Sequence, residues 1–107
     1  MKPFRIEFTD NAKIDIAKSF EWGCDEWGLS AALRWYRQLK SQTRKLLIHY
    51  PLSQPLAPES SEMDSEIRQM MFGRYRVLFE IDGKFVRILH LRGAFVERDD
   101  ENLGVVK

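Results

Sequence analysis

The chain has 107 residues, 44% of them hydrophobic and 31% charged, with 17 Lys and Arg against 16 Asp and Glu for a net charge of +1. A lone cysteine, Cys24, excludes an internal disulfide, and with only His49 and His90 beside it no cysteine-rich zinc cage forms. No apolar run approaches a membrane span, Met1–Thr9 lacks the apolar stretch of a secretion signal, and the balanced charge offers nucleic acid no global basic field. The expectation is one reduced, cytoplasmic domain over residues 1–107, without cofactor or metal and with no contact to membrane.

Phe4, Ile6 and Phe8 alternate with charged neighbours, which predicts a strand over Pro3–Phe8. Thr9 is a suitable N-cap, and Ile14, Ala17, Phe20, Cys24 and Trp27 then recur at helical spacing, with Gly28 placed to end the helix. Ser30 is positioned to cap a second helix over about Ala31–His49. Its apolar stripe holds Ala32, Trp35, Tyr36, Leu39, Thr43, Leu46, Leu47 and Tyr50, and its opposite face holds Arg34, Arg37, Lys40, Arg44 and Lys45. The short link predicts an antiparallel helical hairpin. Pro51, Pro55 and Pro58 punctuate a loop to about Ser65 that is long for so small a domain and carries Glu59, Glu62 and Asp64, so it is read as mobile or functional.

The last third is β. Strands over Glu66–Phe72, Tyr75–Ile81 and Lys84–Leu91 are separated by turns at Gly73-Arg74 and Asp82-Gly83, the latter of type I′. Two-residue loops put Val77, Phe79, Ile81, Val86 and Ile88 on one face, under the helices. The other face then holds Gln69, Met71, Arg76, Leu78, Glu80, Phe85, Arg87, Leu89 and Leu91, an apolar and basic mixture suited to being covered by a partner. The order β-α-α-β-β-β makes the fold class α+β, a helical hairpin packed on one face of a small antiparallel sheet. The segment 96–107 is charged and is expected to be irregular.

No strong catalytic motif occurs. His90 falls opposite Tyr75 on this register, as a structural His–Tyr pair or, less favourably, a general base. Arg76 and Arg87 project from the face away from the helices, to grip phosphates or acidic groups or else to pair with Glu80 and cover Leu78 and Leu89. The basic face of the second helix, with Arg34, Arg37 and Arg44, could track a nucleic-acid backbone, although charge runs are usually just solvated. Cys24 is read as a small core residue. Trp22, Trp27 and Trp35 gather at the hairpin, where core packing is the ordinary use and a partner surface the alternative.

The stretch Glu66–Phe95, with G-R-Y-R-V-L-F, a D-G hairpin and I-L-H-L-R-G-A, resembles the C-terminal sheet of the RelE/ParE toxin superfamily. Upstream, "FTDNA" (Phe8–Ala12), "ALRWYRQL" (Ala32–Leu39) and "PLAPES" (Pro55–Ser60) are similar to its ParE-like, plasmid-stabilisation branch, and the resemblance spans residues 3–95. It implies the toxin of a type II toxin–antitoxin pair in a hetero-oligomer with its antitoxin. Of the two mechanistic groups, RelE-like toxins are ribosome-dependent mRNA endonucleases, and ParE-like toxins are associated with DNA gyrase.

Arg76 matches the strand arginine of the family, and Arg92 opens the segment that commonly reads R-H-G-A-R in the ParE-like branch. Here that segment is Arg92-Gly93-Ala94-Phe95, without the histidine and with Phe95 in place of the final arginine. The basic group for a pentavalent phosphate is missing there, and the acidic tail offers no Tyr or His as terminal acid or base. These departures favour gyrase over RNA cleavage, in which Arg76 with Arg87 or Arg92 would be catalytic. A non-toxic antitoxin-binding module of the same fold is the third alternative. By the resemblance, the antitoxin wraps an extended and helical tail over the sheet face of Arg76, Leu78, Phe85, Arg87 and Leu89 and a groove beside the helices. An acidic tail would complement Arg34, Arg37 and Arg44.

Overall fold

A computed structural model describes residues 2–62 and 64–93, and over them the expected order β-α-α-β-β-β holds. Strand β1 (Arg5–Phe8) leads into helix α1 (Asp10–Trp27). Helix α2 (Leu29–Leu47) returns beside it, followed by strands β2 (Arg68–Phe72), β3 (Tyr75–Asp82) and β4 (Phe85–Gly93). The sheet order is β1-β4-β3-β2. Strands β2, β3 and β4 are antiparallel as expected, whereas β1 lies parallel to β4 and makes the sheet mixed. Phe95 and the segment 96–107, read as irregular from the sequence, lie outside the described residues.

Thr9 joins the layers. Its hydroxyl oxygen accepts from the Ala12 N–H (3.2 Å), capping α1, and its O–H donates to the Ile88 carbonyl (2.8 Å) of β4. Gly28 ends α1 with φ +93°, donating its N–H to the Cys24 carbonyl, and α2 begins on the next residue. The second helix therefore starts two residues before Ala31 and its first turn has no side-chain cap, so Ser30 does not serve as one. Tyr50, read as part of the α2 stripe, lies beyond the helix end and is exposed.

The inward face of α1 differs from the expected one. Ala12, Ile16 and Gly23 are its buried residues, whereas Ile14, Ala17 and Trp27 are exposed and Cys24 is half-buried. Gly23 decides this. A Cβ added at Gly23 would come 3.5 Å from that of Ala32, so the face carrying Gly23 is the one that lets α2 pack closely.

The expected faces of the sheet hold where the register is regular. Val77, Phe79, Val86 and Ile88 form the core with Leu39 and Leu47 of α2, and Ile81 packs against it. The second hairpin loop is Gly83-Lys84 rather than Asp82-Gly83, because Asp82 pairs with Phe85. Gly83 has φ +60° and, among the described residues, no non-glycine residue has positive φ, which are the signs of a type II′ turn, not I′. That change slips the register by two residues and preserves the faces. A bulge between Leu78 and Phe79 then shifts it by one more, so Leu91 joins the helix-side core opposite Val77 and leaves the second face. The same shift sets Tyr75 opposite Gly93, and His90 reaches Asp15 of α1 instead of Tyr75.

Candidate functional site

The loop between α2 and β2 is a built layer. After a short 3-10 turn at Pro51–Ser53, the chain runs antiparallel along β2. The Gln69 N–H donates to the Pro55 carbonyl (3.0 Å), the Ala57 N–H to Ile67 (2.7 Å), and the Arg68 guanidinium to the Gln54 carbonyl (2.6 Å). A second 3-10 turn, Pro58–Glu62, folds over the sheet, and Ser60 Oγ accepts from the Ile67 N–H (3.0 Å). The consequence for the expected partner face is direct. Leu78 is 2% exposed beneath Ala57 and Ile67, with Leu89 packed alongside, so Leu78 is covered by the chain itself and is no partner contact.

Glu59 sits at the head of that layer. Its carboxylate takes both ends of the Arg76 guanidinium, at 3.1 Å (Nη1–Oε1) and 2.9 Å (Nη2–Oε2), and Gln69 Oε1 accepts from Arg76 Nη1 at 3.0 Å. Arg92 lies beside Arg76 in register across β3 and β4, its Nε 4.0 Å from Glu59 Oε2. The Arg76 guanidinium holds the Glu59 carboxyl below its ordinary range. Two arginines of neighbouring strands thus converge on one carboxylate. The sequence marks Glu59 only as one of the acids of the long loop, not as the ligand of Arg76, since nothing in the spacing of residues 59 and 76 announces the contact.

Arg87 is likewise engaged, with Nε 3.0 Å from Glu7, Nη1 2.6 Å from Asp82 and 3.8 Å from Glu80, and its guanidinium over the Phe85 ring at 5.7 Å. The expected pairing with Glu80 is the weakest of the three. His90 Nδ1 lies 3.0 Å from Asp15 Oδ2, which also accepts from the Leu91 N–H (3.1 Å), so the pair helps fasten α1 to β4.

A groove of about 750 Å³ opens on the other side, between β1 and the helical hairpin. Ile6, Phe8, Ile16, Phe20 and Tyr36 line it, and Lys13, Lys40 and Arg44 add three cations against the single acid Glu7. Lys40 Nζ stands 4.8 Å from the Phe8 ring centre and 5.5 Å from that of Tyr36. Strand β1 is an edge, and because Arg5 and Thr9 donate to β4, the alternating Ile6 and Phe8 peptide groups point the other way. Arg44 therefore belongs to the groove, while Arg34 and Arg37 are exposed farther along α2. Lys13 was missed by the sequence analysis, which weighed only the basic face of α2.

Two solved structures are similar to this arrangement. One, from the chromosomal ParDE TA system of P. aeruginosa, has a TM-score of 0.70 at 20% identity, covering 84% of this chain and 95% of that one. The other, from the toxin–antitoxin complex RelBE2 of Mycobacterium tuberculosis, has a TM-score of 0.60 at 24% identity, covering 87% and 93%. At these identities they establish the fold, the α+β arrangement found in both systems. No curated protein matches the sequence. The family model for the ParE toxin of type II toxin–antitoxin systems matches residues 6–94, and the chain belongs to that family.

Proposed function

We propose that this ParE-family toxin arrests growth in the cytoplasm without cleaving RNA, that DNA gyrase is its target, and that a cognate antitoxin restrains it. The observation that carries this is the Glu59–Arg76 contact. A phosphate approaching Arg76 meets a guanidinium fork already filled by a carboxylate through two parallel hydrogen bonds. An endonuclease needs that charge aimed at the scissile phosphate, where negative charge develops.

The groove supports an antitoxin as the partner. An extended acidic segment would add to the free edge of β1, seat apolar side chains between Phe8 and Phe20, and meet Lys13, Lys40 and Arg44. The two similar structures come from toxin–antitoxin systems, which accords with this use. Arg34, Arg37, Phe85, Arg87 and Leu89 would extend the contact beyond the groove. One observation favours a second possibility, RelE-like cleavage: Arg76 and Arg92 stand side by side and would form a two-arginine phosphate site if Glu59 swung away.

Tightly controlled induction of the chain in bacteria tests the proposal, with plasmid supercoiling and mRNA integrity followed in the same samples. Growth arrest with altered supercoiling and intact mRNA is expected. Arrest with cut mRNA that Arg76→Ala abolishes would overturn it in favour of cleavage. Unimpaired growth with soluble protein would leave a non-toxic antitoxin-binding module.

A further inference from the structure

The tip of the helical hairpin presents aromatic surface that neither the groove nor the Arg76 cluster uses. Trp22, Trp27 and Leu29 are 37%, 45% and 61% exposed. The rings pack against one another. Trp22 meets Trp27 edge-on at 5.3 Å, Trp27 meets Trp35 at 6.5 Å, and Trp35 meets Tyr75 of β3 at 5.1 Å, a file of rings running from the tip to the sheet. Trp27 also folds back over α1, close enough that a Cβ at Gly23 would lie 3.0 Å from its ring. Half-exposed tryptophans packed in this way give large contact area for few rotatable bonds ordered on binding.

The charge along the sequence of the tip, between Lys18 and Arg34, is one-sided. From Ser19 to Leu33 the chain carries Glu21, Asp25 and Glu26 and no lysine or arginine, on a molecule whose net charge is +1. Asp25 and Glu26 fall near the C-terminal end of α1, whose last turn has no basic residue, so they face the negative end of the helix dipole. Such placement weakens the helix. Rules broken locally with no gain to the fold mark functional surfaces. An acidic collar repels nucleic acid and attracts a basic protein surface.

We propose that the hairpin tip docks the toxin's protein target, at a basic surface whose apolar pocket receives Trp27 and Trp22. This rests on the toxin function argued above and names the surface through which it acts. The tip is distinct from the groove between β1 and the hairpin.

The test compares wild type with the double variant Asp25→Lys/Glu26→Lys and with Trp27→Ser, using growth arrest on induction and binding of the purified full chain to DNA gyrase as the probe. Thermal melts and near-ultraviolet circular dichroism verify the fold. The double variant is expected to melt no lower than wild type, since its new charges suit the helix dipole, yet to lose growth arrest and bind gyrase at least about tenfold more weakly. Trp27→Ser is expected to weaken binding about thirtyfold. A folded double variant that arrests growth as wild type does, at equal soluble level, overturns the proposal. So does a change in oligomeric mass between the two by light scattering, which would make the occupant a second copy of the chain. If wild type arrests growth without binding gyrase, gyrase falls as the target and loss of arrest in the folded double variant still supports the tip. If wild type does not arrest growth, the toxin function falls and this inference with it.

Discussion

Cutting the link between Glu59 and Arg76 measures how firmly the loop layer is held to the sheet. The pair is bidentate, and its side chains are 19% (Arg76) and 28% (Glu59) exposed, so water screens it only in part. Exposed pairs are worth about 0.2–1 kcal/mol, whereas removing one partner of a fully buried pair costs about 3–5 kcal/mol. A coupling of about 1.5 kcal/mol is expected from a double-mutant cycle of Glu59→Gln and Arg76→Met in urea titrations at neutral pH. Arg76→Met costs more than Glu59→Gln, because it also strips Gln69 of its contact. The pH dependence has a definite sign. The native carboxyl titrates below its ordinary 4.5, so the stabilisation is complete above that value and fades as pH falls through the native pKa, where Glu59 is protonated whether folded or unfolded. A coupling under about 0.5 kcal/mol at neutral pH, or one undiminished in acid, would refute the reasoning.

Three further substitutions probe the scaffold. Thr43 is fully buried on α2 and its hydroxyl has no hydrogen-bond partner among the described residues, so Thr43→Val should raise stability by about 1 kcal/mol in chemical denaturation. Thr9→Ala removes a helix cap and the hydrogen bond to Ile88 together and is expected to cost about 2 kcal/mol, with Thr9→Asp, which keeps only the acceptor, falling between. Gly23→Ala gains about 1 kcal/mol of helix propensity but drives a methyl group into the Trp27 ring. The expected outcome is little net change in melting temperature and a red-shifted tryptophan emission as Trp27 swings out.

Periodicity carried the fold where the backbone is regular. The period-two pattern of Val77, Phe79, Val86 and Ile88 sorted the core face correctly even though the turn was misplaced, because a slip of two residues leaves each side chain on its own side. The bulge after Leu78 has no such signature, and past it Leu91 and His90 were misassigned. On α1 the helical spacing of Ile14, Ala17, Phe20, Cys24 and Trp27 points to one stripe, but the packing buries Ala12, Ile16 and Gly23, where the missing side chain of Gly23 lets α2 come close. For the candidate site, the sequence singled out Arg76, Arg87 and Arg44 as unusual. It gave no sign that Glu59 meets Arg76 across 17 positions, or that Ala57 and Ile67 roof over Leu78. Those contacts depend on the path of an irregular loop, which neither propensity nor periodicity encodes.

The parallel docking of β1 beside β4 bears on how the molecule comes into being. Arg5–Phe8, the first of these elements to be synthesised, hydrogen-bond to β4, the last of them, and the Thr9–Ile88 contact spans 79 positions. Pairings of such high contact order close late, after the local helical hairpin and the β2–β3–β4 meander have formed. The groove has β1 as one wall, so it is completed only once β4 has been made and β1 has docked beside it. A partner that recognises this groove finds no template before β4 is in place, and its capture follows the folding of this domain.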